Sequence, residues 1–300
     1  MKLQFTLSLI IISLFINNVY AKTHEAIACN QAFEKGDLTV ALTQADQALI
    51  SDKNDKDALI CQGRVLAAKG DFNAALTAFK SAEVHSSEAF DKTIATLLIG
   101  NTYRSLNQPE MSIESYRQTI LNAKAAKNQA FERIGHHAIG NVYFKGGQFT
   151  KALESFIVSS KLAANDNERG ESYETIAFTY HNMNQHDLAL KHQIKAYMMH
   201  SAVGTLDQLA HTSIELGRYQ LLTKHYISAE NTLNKIIKLA KEQGGAYYEA
   251  KASVVLAKVK VATGDISAAN VLIQHAKSIA KDAQDIALDE EIIQEIKNLL

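Results

Sequence analysis

The 300-residue chain has no tryptophan, a single proline and only 14 glycines, although 47% of its residues are hydrophobic. With so few chain-breakers it cannot punctuate the many short strands and turns of a β-rich fold, and long helices are the expectation. A surplus of charge of one sign is also missing, because the formal net charge is -1. No global field is available to draw in nucleic acid or an anionic lipid surface. Long apolar runs are lacking beyond the first residues, and no later window approaches the ~18 apolar residues that a membrane-crossing helix needs. Cysteine is confined to Cys29 and Cys61.

The opening segment, MKLQFTLSLIIISLFINNVYA, is of another kind. One lysine precedes a mainly apolar stretch, and Val19 and Ala21 supply small residues ahead of Lys22. This is the anatomy of a secretory signal over residues 1–21, cleaved after Ala21. Retention as an anchor is disfavoured, since Ser8, Ser13, Asn17 and Asn18 leave a short apolar span. Lipidation at Cys29 is disfavoured by the charged Lys22 and Glu25 just before it. The expectation is an exported protein, periplasmic or extracellular, without membrane insertion after cleavage. Its two cysteines would then meet an oxidising compartment.

Self-comparison shows internal repetition. The segments GDLTVALTQADQAL (36–49), GDFNAALTAFKSAE (70–83), GQFTKALESFIVSS (147–160) and GDISAANVLIQHAK (264–277) each carry alanine five places after a glycine. Upstream, IGNTY (99–103) and IGNVY (139–143) set glycine and tyrosine three apart, and Tyr143, Ala152 and Phe156 follow at intervals of nine and four. This pattern resembles the tetratricopeptide repeat, in its longer variety of about 40 residues. Seven units start near Lys22, Lys56, Thr93, Arg133, Gly170, Ala210 and Ala250. They cover residues 22–283, with a capping helix over 284–300. The resemblance implies an all-α solenoid, a right-handed superhelix of helix-turn-helix repeats. Stretches 161–177 and 238–257 are read as joining successive long units.

Packing physics accounts for the same pattern. An amphipathic helix pair cannot bury its apolar stripe alone, so pairs stack, and each close approach needs a small residue. Cys29, Gly63, Gly100, Gly140, Ala177, Gly217 and Ala257 form one such register. Ala41, Ala75, Ser112, Ala152, Ala189, Ala229 and Ala269 form the second. Asp37, Asp71 and Asp265 stand where a second helix needs an N-cap, and Pro109 stands at a first-turn position, where a missing amide is harmless. The sixth unit matches least well, with Gln220 where an aromatic is expected. Gly140, Gly146 and Gly147 raise the question of a phosphate-binding loop. No lysine-serine or lysine-threonine pair follows them, so they are read as a helix contact and a turn.

Catalytic and metal chemistry find little support. His136 with His137, and His181, His186 and His192, lack the helical spacing and the adjacent carboxylate or thiolate of a zinc site. No nucleophile elbow appears, and the carboxylates Asp289, Glu290 and Glu291 are read as a solvated face. No cofactor is called for, and a non-enzyme is the expectation.

In the family that the repeats resemble, residues one place after the first small contact point into a concave groove. That implies Asn30, Arg64, Asn101, Asn141, Phe178, Arg218 and Lys258 on the groove wall, joined by Arg104, His137, Phe144, Lys145, His181, Leu221 and Leu222. Amides donate and accept at once, so Asn101 and Asn141 could hold an extended backbone, or simply be solvated. The resulting groove is mildly basic and suits a protein or peptide segment. The function implied is non-catalytic scaffolding. The alternatives are a regulator sensing a peptide or small ligand, and an enzyme with a site scattered across repeats. Cys29 and Cys61 are favoured as two small buried residues over a disulfide, which requires both to face one seam.

Overall fold

The computed structural model describes residues 23–297 and 299, so the leader expected over 1–21 lies outside the described residues. Among those residues there are fifteen α-helices and no strand. The helices are α1 (His24–Glu34), α2 (Leu38–Ser51), α3 (Lys56–Ala68), α4 (Phe72–His85), α5 (Ala89–Ser105), α6 (Pro109–Ala125), α7 (Gln129–Lys145) and α8 (Phe149–Lys161). They continue with α9 (Asp166–Asn182), α10 (His186–Val203), α11 (Leu206–Leu222), α12 (Tyr226–Glu242), α13 (Ala246–Ala262), α14 (Ile266–Asp282) and α15 (Ile286–Ile296). None of the described helices is long and apolar enough to cross a membrane. The architecture is an all-α solenoid of helix hairpins, and the chain forms two compact units that divide between Val142 and Tyr143, within α7.

In the first unit, α1/α2, α3/α4 and α5/α6 form stacked hairpins. Local chemistry sets their ends. Asp37 and Asp71 accept hydrogen bonds from the backbone N–H groups of Val40 and Ala74, satisfying amides that the helix leaves unpaired. Pro109 opens α6. The first small register works by a constant offset, in which each glycine lies under the side chain sixteen residues later. Gly63 meets the Phe79 ring and Gly100 meets Tyr116, where a Cβ would come within 2.5 Å of the ring.

Cys29 holds the same register place in α1, but the residue sixteen later is Ala45. No ring fills the space there, and Cys29, Ala45 and Cys61 share one core cluster. Cys29 and Cys61 are disulfide-bonded, with Cα atoms 6.3 Å apart and both residues fully buried. The sequence reading favoured two small buried residues without a bond. The bond forms because the small Ala45 lets both sulfurs turn into the α1/α3 seam.

In the second unit α9/α10, α11/α12 and α13/α14 are hairpins, with α8 packed on α9 and α15 packed on α13 and α14. Ala189, Ala229 and Ala269 are fully buried, as the second register requires, and Gly217 lies under Leu233. The poorly matching sixth hairpin forms. Gln220 there leaves a buried amide oxygen without a hydrogen-bond partner, while neighbouring Tyr219 is buried against Ala177 and Ala189.

The extra residues of the longer units are helical, which corrects the sequence reading of 161–177 and 238–257 as joining stretches. Only 162–165 and 243–245 lie outside helices there. From the third repeat onward the first helix starts four residues ahead of the unit start read from sequence, adding about one turn. Asn165 caps α9 through Glu168 N–H, and Gly244 turns the chain at φ 75°, so the breaks are tight.

Candidate functional site

The helices α1, α3 and α5 bring their register-plus-one residues to one face of the first unit. Arg64 donates to Asn30 Oδ1 at 2.8 Å, and its guanidinium lies 4.3 Å from the centre of the Phe33 ring. Asn30 in turn donates to Ala26 O. The arginine is thereby stacked and aimed, with donors left over, which is how a guanidinium is prepared for a carboxylate. It lines a pocket of about 480 Å³ together with Asn30, Glu34, Lys56, Asp91 and Leu98. Lys56 there pairs with Asp91 at 2.9 Å. A second, more apolar hollow of about 270 Å³ continues along the same face, lined by Phe33, Arg64, Phe79, Leu98 and Asn101 among others.

Asn101 is not a free solvated amide. Its Oδ1 accepts the Tyr116 hydroxyl at 2.7 Å, which leaves the NH2 group as the outward function. Gly100 and Asn101 therefore work as a pair, since the glycine lets the Tyr116 ring pass and the asparagine receives its hydroxyl. Arg104 is exposed on the same helix. Burial pushes the Tyr116 phenol above its ordinary pKa, against the opposing charge of Arg104. Asn141, half-buried on α7, has no side-chain hydrogen-bond partner among the described residues. His137 is half-buried, and burial, aided by the Arg133 charge, holds its imidazole below the usual range.

The second unit treats the same register differently. Phe178 is half-exposed and stacks on Phe144 at 5.3 Å, and Lys145 is exposed at the end of α7. His181 faces His186 with 3.3 Å between Nδ1 atoms, and burial together with His186 lowers its pKa. Among the described residues no cluster of three metal-ligating side chains is present. Leu221 packs on a core cluster and Leu222 stays partly exposed, so the expected apolar groove wall is reduced.

Arg218 and Lys258, expected to await a ligand, are already occupied. Arg218 forms a bidentate pair with Glu295 of α15, at 3.0 and 2.8 Å, and also contacts Glu215 at 3.2 Å. Lys258 pairs with the same Glu295. Lys251 meets Glu291 at 3.1 Å, so the acidic side of α15 is not simply a solvated face. Burial opposes ionisation of Glu295, yet Arg218 and Lys258 pull its pKa down to about 2. Leu288 and Ile292 on the other side of α15 are buried with Ala250, Val254, Ala276 and Ala280. Sequence reading missed this latch because it joins residues 77 positions apart. Acidic residues at 291 and 295, one turn apart, were the available signal.

Comparison with known proteins agrees with this architecture. A family profile described as a tetratricopeptide repeat matches residues 96–121, spanning most of α5 and α6. No curated protein matches by sequence. Among solved structures, the apo form of RapI superposes with a TM-score of 0.71 at 13% identity, covering 92% of this chain and 84% of that one. Aspartyl phosphate phosphatase F from Bacillus subtilis gives 0.61 at 13% identity, covering 95% and 82%. A STAND-type signal transduction ATPase with a tetratricopeptide-repeat sensor, from Pyrococcus horikoshii, gives 0.66 at 15% identity over 88% of this chain and 42% of its own. At such identities these structures share the fold. The sixteen-residue offset at Gly63, Gly100 and Gly217, the buried small registers and the profile matched at residues 96–121 together give this chain a tetratricopeptide-repeat fold.

Proposed function

We propose that the chain is an exported, non-catalytic scaffold that holds an extended protein segment on the first helices of its first unit. The observation that carries this reading is the pocket of about 480 Å³, with Arg64 held ready by Asn30 and Phe33. Beside it, the outward NH2 of Asn101 is oriented to donate to a peptide carbonyl. Interaction with other proteins is what tetratricopeptide folds usually serve, since stacked repeats make extended concave surfaces. A donor-rich, partly apolar strip fits an extended segment bearing a carboxylate. Export is supported by the signal-like sequence of residues 1–21 and by the Cys29–Cys61 bond, which persists in oxidising compartments.

The test is a peptide array of acidic and uncharged extended sequences, probed with wild type and with Asn141→Ala and Asn101→Ala variants. Acidic members should be retained by wild type and weakened by Asn101→Ala. Removing that amide also strands the Tyr116 hydroxyl, so each variant's melting temperature is measured beside its peptide retention. Retention of no peptide, or equal retention by all variants, contradicts the site. For export, the amino terminus of the protein recovered outside the cytoplasm should be Lys22, and an intact Met1 in the cytoplasm contradicts it.

A further inference from the structure

The second unit contains a hollow of about 360 Å³ between α9, α11 and α13. Its lining includes Glu174, Asp207, Glu215, His211, Tyr247 and Tyr248. Two cations lie at its margin, and both are committed elsewhere. Lys251, also in the lining, meets Glu291 and sits 5.1 Å from the centre of the Tyr247 ring, and Arg218 is shared between Glu215 and Glu295. Glu215 is thereby neutralised. Glu174 and Asp207 pair with no lysine or arginine among the described residues, so the hollow keeps an unbalanced negative charge.

Its polar groups are also fixed in place. Glu174 Oε1 accepts the Thr212 hydroxyl, which orients the carboxylate. Behind the other oxygen, His200 Nε2 stands 3.7 Å from Glu174 Oε2. His200 is 1% exposed, and neither of its ring nitrogens has a hydrogen-bond partner. A buried ring with unused hydrogen-bonding capacity is costly, and here it is aimed at the carboxylate that lines the hollow. Tyr248 is half-buried and lines the hollow with Asp207, towards which its hydroxyl is directed, so an aromatic wall adjoins that carboxylate. Carboxylates flanked by aromatic rings are the chemistry that receives a guanidinium or alkylammonium group. Lys251 over Tyr247 shows one such arrangement already made within the chain.

We infer that this hollow is a receptor site for a cationic side chain, a guanidinium or alkylammonium carried on a partner segment. It is opposite in charge preference to the Arg64 pocket and rests on residues of the second unit alone. Its failure therefore leaves the proposal for the first unit untouched.

The test is calorimetric titration of the full chain with acetyl-Gly-Arg-Gly-amide, its citrulline analogue and free agmatine. The arginine peptide should bind at least about tenfold more tightly than the citrulline peptide, the scale of one charge-assisted hydrogen bond. Asp207→Asn, at an exposed position, should weaken it about fivefold to tenfold with an unchanged melting temperature, and Glu174→Gln should weaken it at least as much. Arg64→Glu should have no effect on it. Binding of agmatine as well as the peptide upholds the site and shows the cation to be sufficient, whereas peptide binding alone upholds it with a backbone contribution. Equal binding of the arginine and citrulline peptides, no binding of either cation, or indifference to Asp207→Asn overturns the inference.

Discussion

The two units use one helical register for opposite ends. In the first, the residue after the small contact is Asn30, Arg64 or Asn101, held by light internal bonds that leave donors facing outward. In the second, the matching Arg218 and Lys258 are consumed by Glu295 from α15. Position in the repeat therefore places a side chain on a face without deciding whether it is available. Availability depends on what the chain itself puts opposite, and in the second unit α15 packs on α13 and α14 and presents Glu291 and Glu295 to Lys251, Lys258 and Arg218.

Breaking the disulfide should sharpen this contrast most. Closing a loop with 32 positions between Cys29 and Cys61 corresponds to about 3–4 kcal/mol in the chain-entropy view. Cys29→Ser with Cys61→Ser should lower the unfolding free energy of the first unit by that scale, read from a denaturant melt. Hydrogen exchange should quicken in α1 to α4 while α11 to α14 keep their protection. Two free thiols in the denatured exported protein would remove the bond from the account.

Next in size is the small register. A Cβ at Gly100 meets the Tyr116 ring, and one at Gly217 meets Leu233 at 2.6 Å. Gly100→Ala and Gly217→Ala should each cost about 1–3 kcal/mol through overpacking. The first should also disturb peptide binding, because displacing Tyr116 releases Asn101. Wild-type melting of both variants would mean that the sixteen-residue offset is not what orders the hairpins.

A smaller effect concerns acid. The Glu295 carboxyl falls from its ordinary value of 4.5 to about 2 in the folded chain. A lowered carboxylate pKa gives stability that is complete above the unfolded value and lost as pH falls through the folded one. Exchange protection of α15 should hence decline between about pH 4.5 and 2, and Glu295→Gln should remove that dependence. A profile unchanged by Glu295→Gln would show that the buried Leu288 and Ile292 alone hold the helix.

Much of the fold was legible in the sequence because small residues at fixed spacing report close helix approach directly. Every alanine of the second register is fully buried, as is Ser112, which stands in for it. The aspartate caps and Pro109 were equally readable, since each acts on backbone within three residues. Helix length was misread, because the added turn in α5 to α7 and α9 to α14 has no punctuation of its own. Of the candidate site, Arg64 and Asn101 reach the first unit's face, but their internal partners Asn30 and Tyr116 lie 34 and 15 positions away. The disulfide hinged on the small size of Ala45, and the α15 latch on pairs across 37 and 77 positions. Such contacts exist only after stacking, which is why local spacing did not reveal them. The acidic hollow at Glu174 and Asp207 was hidden for the same reason, since its walls come from three separate repeats.

The central claim is that acidic segments are received by the first unit and not by the cations of the second. It is tested most directly by titrating one acidic peptide into wild type, Arg64→Glu and Arg218→Gln at low and high salt. The account predicts that Arg64→Glu weakens binding about tenfold or more, mostly at low salt, while Arg218→Gln leaves affinity within about twofold. Loss of affinity in Arg218→Gln with Arg64→Glu unaffected would contradict it.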